Sequence, residues 1–131
     1  DSLYAVSYAA RVAQELGADV VKVNYPKADE AKRALYPKEY RDLKYSATDM
    51  LEHIVAAAGR TLVIMSGGSK RSDEQLVEDV RTALAAGVTG FIFGRNMWQR
   101  RFGEGLEIAG TLTKMMQASH RPAARTAAAA V

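Results

Sequence analysis

The sequence predicts an α/β fold with about three parallel strands and flanking helices. Three observations predict it: a helix–glycine–strand unit recurs three times, each strand is a short unbroken apolar run, and helices separate the strands. Unbroken apolar runs belong to parallel strands covered on both faces, whereas half-exposed strands alternate apolar with polar residues. Right-handed crossovers then set the strands side by side, with their C-terminal ends on one edge. Three strands are too few for a whole sheet of this kind. A (β/α)8 barrel takes about 250 residues, roughly twice this chain's 131. The expectation is therefore the C-terminal portion of a (β/α)8 TIM barrel.

The first unit is a helix over residues 2–16, with apolar residues at Leu3, Val6, Ala9, Ala10, Ala13 and Leu16 at helical spacing. Gly17 follows where a left-handed C-terminal cap belongs, and a strand is expected over 20–23. The second unit opens with an N-cap region over 46–49 (Ser-Ala-Thr-Asp), runs as a helix to Gly59, and continues into a strand over 62–65. In the third, Ser72 and Gln75 read as a capping box; Leu76, Val80 and Leu84 lead to Gly87, and a strand covers 90–93. A last helix is expected over about 104–118.

Between the first strand and the second helix, residues 26–41 read as an elaborated loop over the C-terminal edge. It holds a short helical piece at 28–35, broken at Pro37. The domain is expected over 1–119, followed by a weakly ordered, Ala-rich tail over 120–131.

Composition narrows the function classes. The chain is 48% hydrophobic and 25% charged, which is ordinary globular usage. No apolar run approaches the ~20 residues of a membrane span, and no signal-peptide pattern opens the sequence. Cysteine is absent, so disulfides and thiolate metal sites are unavailable, which suits a cytoplasmic protein. The net charge of +3 is mild, and pairs such as Lys70 with Arg71 and Arg100 with Arg101 fall at element edges rather than in one stripe. Nucleic-acid binding wants a concentrated basic patch with interleaved aromatics, so neither nucleic acid nor membrane is expected as a partner.

Lys22 is the leading candidate for chemistry. It sits at the centre of Asp19-Val-Val-Lys-Val-Asn-Tyr25, where a strand this apolar should hold it out of water. A desolvated ammonium is disfavoured relative to the neutral amine, and the amine is a nucleophile. The competing reading is an ordinary ion pair with a carboxylate elsewhere in the fold.

Two glycine-bearing segments follow the second and third strands. In Ser66-Gly-Gly-Ser-Lys70, Gly67 and Gly68 let the backbone approach an anion and present consecutive amides. Gly94 and Arg95 lead into what reads as a single helical turn, where oriented amides and a bidentate guanidinium suit phosphate. Each taken singly also reads as a plain turn. On adjacent strands and at one edge, they favour a phosphate site at the place where barrels commonly hold phosphate.

Three stretches, Tyr8-Ala-Ala-Arg-Val-Ala-Gln-Glu-Leu-Gly-Ala-Asp-Val-Val-Lys-Val23, Met65-Ser-Gly-Gly-Ser-Lys70 and Gly94-Arg-Asn-Met-Trp-Gln-Arg-Arg101, carry a family resemblance. The chain resembles the archaeal-type class I fructose-1,6-bisphosphate aldolases, within the wider Schiff-base (β/α)8 aldolases, over about residues 4–116. The resemblance implies that Lys22 forms a Schiff base and that Ser66, Gly67, Gly68, Gly94 and Arg95 bind the substrate phosphate. It implies strands six to eight of the barrel, a sugar-phosphate substrate, no metal or other cofactor, and a homo-oligomer. The family's acid/base tyrosine belongs to earlier strands, so this piece alone is expected to be inactive. Tyr25 is no substitute, because strand alternation turns it to the face opposite Lys22. The 27–45 stretch is longer than in the most compact members, which bears on substrate choice.

Two alternatives stand beside this reading: a related Schiff-base aldolase or transaldolase acting on another sugar phosphate, and a non-catalytic phosphate-binding barrel. His53 and His120 read as structural or solvated, and helical spacing assigns Trp98, Phe102, Met115 and Met116 to core packing rather than a subunit interface.

Overall fold

The computed structural model describes residues 1–27, 34–41 and 44–119. In chain order the elements are α1 (Leu3–Glu15), β1 (Val20–Asn24), α2 (Lys38–Arg41), α3 (Ala47–Ala58), β2 (Leu62–Ser66), α4 (Asp73–Ala85), β3 (Gly90–Ile92), α5 (Arg95–Trp98) and α6 (Phe102–Ser119). The three strands form one parallel sheet in the order β1-β2-β3. This is the α/β arrangement read from the sequence.

Local chemistry sets the helix boundaries. Ser2, Ser46 and Ser72 cap α1, α3 and α4, each hydroxyl accepting from a main-chain amide three residues on. At Ser46 the bond is reciprocated, because Asp49 accepts from the Ser46 amide at 2.9 Å. The first three long helices end at left-handed glycines: Gly17 (φ 85°), Gly59 (φ 59°) and Gly87 (φ 91°). Thr61 Oγ1 donates to the Ala18 carbonyl at 2.9 Å, tying the turns that launch β1 and β2.

One face of the sheet is covered. Val23, Val63 and Met65 point into a core with Val6, Ala10, Leu51, Ile54 and Ala58 from α1 and α3. Burying side chains such as Ile54 or Leu51 contributes about 1.5–3 kcal/mol each. A second cluster joins α4 and α6 through Leu76, Val80, Ile108 and Leu112.

The expectation of two covered faces is corrected. Val20, Leu62 and Ile92 are 47%, 49% and 49% exposed, because the helices among the described residues pack on the other face. Strand alternation puts Lys22, Asn24, Ile64, Ser66 and Gly90 on that same open face. Trp98 and Phe102 are also corrected from core to surface, at 72% and 84% exposed. The helix breaks between α5 and α6, which removes the continuous spacing that assigned them inward. Met115 does pack against the second cluster.

The short helix in the 26–41 stretch is α2, after Pro37; residues 28–33 of the anticipated helical piece lie outside the described residues. The 120–131 tail, with His120, lies outside them too. No helix among the described residues is long and apolar enough to cross a membrane.

Candidate active site

A cavity of about 430 Å³ opens at the C-terminal edge of the sheet. It is lined by Ser66, Gly67, Gly68 and Ser69 after β2, by Arg95 after β3, and by Asn24, Tyr25 and Lys27 at the end of β1, together with Arg71 and Asp1. Four of the six residues singled out in the sequence thus meet in one cavity. Gly94 and Lys22 stand just outside its lining.

Lys22 is in register with Ile64, and Ile64 with Gly90; Asn24, Ser66 and Ile92 form the next row toward the cavity. Two residues along a strand advance about 6.6 Å, so Lys22 stands one step below the cavity rim on the same face. The expectation of a dry lysine is not met within this chain: Lys22 is exposed, because that face carries no covering layer among the described residues. The ion-pair alternative finds no support either, since none of the salt bridges among the described residues involves Lys22.

Close packing explains two of the glycines. A Cβ on Gly67 would stand 2.2 Å from Phe93 Cδ1 and 3.1 Å from Asn96 Nδ2. A Cβ on Gly94 would stand 2.8 Å from the Trp98 ring, which lies over it. The amide expectation for Gly67 is corrected. Its N–H donates to the Ile92 carbonyl at 3.0 Å and is already engaged. The amides of Gly68, Gly94 and Arg95 carry no hydrogen bond among the described residues, and Gly68 adopts a left-handed φ of 63°.

The cations around the cavity differ in availability. Arg71 Nε pairs with Asp79 Oδ2 at 3.0 Å, and Lys70 Nζ donates to the Gln99 carbonyl at 2.7 Å. Arg100, whose side chain is 5% exposed, donates from Nε to the Asn96 carbonyl at 2.8 Å and from Nη2 to the Arg71 carbonyl at 3.1 Å, and its Nη1 pairs with Asp73 at 2.6 Å. Arg95 and Lys27 side chains make no hydrogen bond or ion pair among the described residues. They are left to meet an anion.

Tyr25 keeps its proton. Burial, reinforced by the Asp79 charge, pushes its hydroxyl far above the ordinary phenol range. That hydroxyl donates to the Asp79 carbonyl at 3.1 Å, on the helix side of the sheet. Asp79 itself is raised by burial, with Arg71 opposing the shift.

The DeoC/LacD family aldolase profile matches residues 4–100. The chain belongs to the DeoC/LacD aldolase family. It is 43% identical over 106 residues to the class 1 fructose-bisphosphate aldolase of Halobacterium salinarum, covering 78% of this chain and 33% of that protein. It is 37% identical over 112 residues to the corresponding enzyme of Thermoproteus tenax, covering 85% and 35%. A third relative, the fructose-bisphosphate aldolase/6-deoxy-5-ketofructose 1-phosphate synthase of Methanocaldococcus jannaschii, is 33% identical over 96 residues, covering 72% and 26%.

Solved structures agree with this placement. An archaeal fructose-1,6-bisphosphate aldolase, with its catalytic Lys covalently bound to the carbinolamine intermediate of the substrate, superposes with a TM-score of 0.66 at 32% identity, covering 88% of this chain and 38% of that one. The fructose-bisphosphate aldolase of Slackia heliotrinireducens gives 0.72 at 28% identity, covering 91% and 34%. This DeoC/LacD-family chain spans about a third of the length of the relatives it matches.

Sequence reasoning placed Asn24 and Ser69 at this edge without giving either a role, and it missed Lys27 and Arg71 at the cavity and Asn96 and Arg100 beneath it. Lys27 and Arg71 carried a usable signal as basic residues within a few positions of a strand's C-terminal end. The roles of Asn96 and Arg100 depend on contacts 25–29 residues away, which a local motif does not display.

Proposed function

We propose that this chain carries the Schiff-base lysine and the substrate-phosphate cradle of a class I fructose-1,6-bisphosphate aldolase. The observation that carries the reading is a shared face and edge. Lys22 stands one strand row below a cavity whose rim offers the Gly68 and Arg95 amides and the Arg95 guanidinium, unpaired among the described residues. The family membership and the carbinolamine-bearing relative support the covalent chemistry.

In this reading the neutral Lys22 amine attacks the C2 ketone of the sugar bisphosphate. The carbinolamine loses water to give an iminium. A base takes the C4 hydroxyl proton as the C3–C4 bond breaks, and its electron pair moves into the iminium to form an enamine. Glyceraldehyde 3-phosphate leaves. The enamine is protonated at C3, and water hydrolyses the resulting iminium to dihydroxyacetone phosphate and free Lys22. The cradle holds the C1 phosphate and so fixes C2 over the amine, a positioning that supplies several kcal/mol.

Apart from Lys22 itself, the open faces of β1, β2 and β3 carry no ionisable acid/base, since that row otherwise holds Val20, Asn24, Leu62, Ile64, Ser66, Gly90 and Ile92. Borohydride with dihydroxyacetone phosphate tests the reading in the intact protein. The expected result is one reduced triose-phosphate adduct on the Lys22 peptide; an unmodified peptide rejects it. The second activity named for the M. jannaschii relative favours a wider substrate range, and a panel of sugar phosphates distinguishes the two.

A further inference from the structure

One buried side chain ties the loop after β2 to the loop after β3. Asn96, 0% exposed, is the second residue of α5. Its Nδ2 donates to the Gly67 carbonyl at 2.8 Å and to the Ser69 carbonyl at 3.1 Å, and its Oδ1 accepts from the Arg71 amide at 2.8 Å. A carboxamide offers two donor hydrogens and an acceptor oxygen, and here all of them are spent on the backbone of one turn.

The consequence for the cavity follows from peptide geometry. In a planar trans peptide the carbonyl and the next amide point in opposite directions. No peptide among the described residues is cis. With the Gly67 carbonyl held toward Asn96, the Gly68 N–H is turned to the opposite side, and Gly68 lines the cavity. Arg100 completes the arrangement by fixing the Asn96 and Arg71 carbonyls.

We propose that Asn96 is a positioning residue that holds the 66–70 turn with the Gly68 amide presented to the substrate phosphate. The proposal rests on the phosphate-cradle reading above and extends it to a residue outside the cavity lining. It separates Asn96 from general core residues, because its bonds end on the cradle rather than on the sheet.

Asn96→Ala removes all three bonds, and Asn96→Ser keeps a short hydroxyl that cannot span both carbonyls. Both are measured in the intact protein against inorganic phosphate by titration calorimetry. Both are also measured in borohydride trapping with dihydroxyacetone phosphate and with phosphate-free dihydroxyacetone. The expected result is a loss of phosphate affinity of about tenfold or more, with the half-saturating triose phosphate raised in step. Trapping of dihydroxyacetone falls much less. Phosphate affinity within about twofold of the parent overturns the proposal. So does an equal loss on the two ketones, which assigns Asn96 to the fold at large. A parent that binds phosphate without forming an adduct overturns the aldolase reading alone, whereas a parent that binds no phosphate overturns both.

Discussion

Lys22 stands beside Ile64 in the parallel register, one row below the pair of Asn24 and Ser66 that borders the cavity. That placement separates the proposed nucleophile from the proposed phosphate contacts by one strand step. Lys22→Met should therefore abolish turnover and borohydride trapping while leaving phosphate affinity within a few-fold of the parent. A parallel measurement of kcat and of phosphate binding checks this. Residual turnover at the parent rate removes Lys22 from the mechanism.

Arg95 and Arg71 both line the cavity, yet among the described residues only Arg71 of the two is held by a carboxylate. A hydrogen bond to a charged group contributes about 1.5–3 kcal/mol, which is about ten- to a hundredfold in affinity. Arg95→Gln should raise KM for the sugar phosphate by about tenfold or more. Arg71→Gln should act differently. It leaves the partly buried Asp79 without its partner, so a lower urea midpoint should accompany a smaller change in KM. Equal KM effects of the two substitutions would show that the Asp79 pair does not restrain Arg71.

The sequence displayed the framework more clearly than the site. Gly17, Gly59 and Gly87 are left-handed as their positions after helical runs require, because that backbone conformation is a local demand. The strands were legible from short unbroken apolar runs, which are also a local feature. Lys22 was not legible in its surroundings. Val20, Val21 and Val23 say that both faces of the strand are apolar, but not whether the described residues supply both covering layers. Asn96 was hidden differently: after Gly94 and Arg95 it reads as a turn residue, and its three bonds form only when the loops after β2 and β3 come together. Trp98 and Phe102 show the limit of periodicity, since three residues without helix between α5 and α6 were enough to turn both rings outward.

Gly67→Ala tests the packing that shapes the turn. The added methyl would meet Phe93 at 2.2 Å and Asn96 at 3.1 Å, and Phe93 is stacked on Phe91 at 5.2 Å between centroids. Overpacking of this kind costs about 1–3 kcal/mol. A lower urea midpoint and a weaker phosphate isotherm are expected together, and Phe93→Leu in the same chain should recover part of both. Recovery of stability without recovery of phosphate affinity would show that the ring does not shape the cradle.

The reciprocal cap at α3 gives a pH dependence with a definite sign. Hydrogen bonds from the Ser46 hydroxyl and the Ser46 amide, at 2.7 and 2.9 Å, hold the Asp49 carboxyl below its ordinary range. A carboxyl depressed in the folded state contributes stability that is fully present above its unfolded pKa, about 3.9, and that is lost as pH falls through the folded value. Asp49→Asn keeps the shape and removes the charge. Its urea midpoint should lie below the parent's at neutral pH, and the gap should close as the medium is acidified below about pH 4. Taking the difference between the two proteins cancels the other carboxylates, so a gap that stays constant down to pH 3, about one unit below that threshold, would show that the charge contributes nothing to the cap.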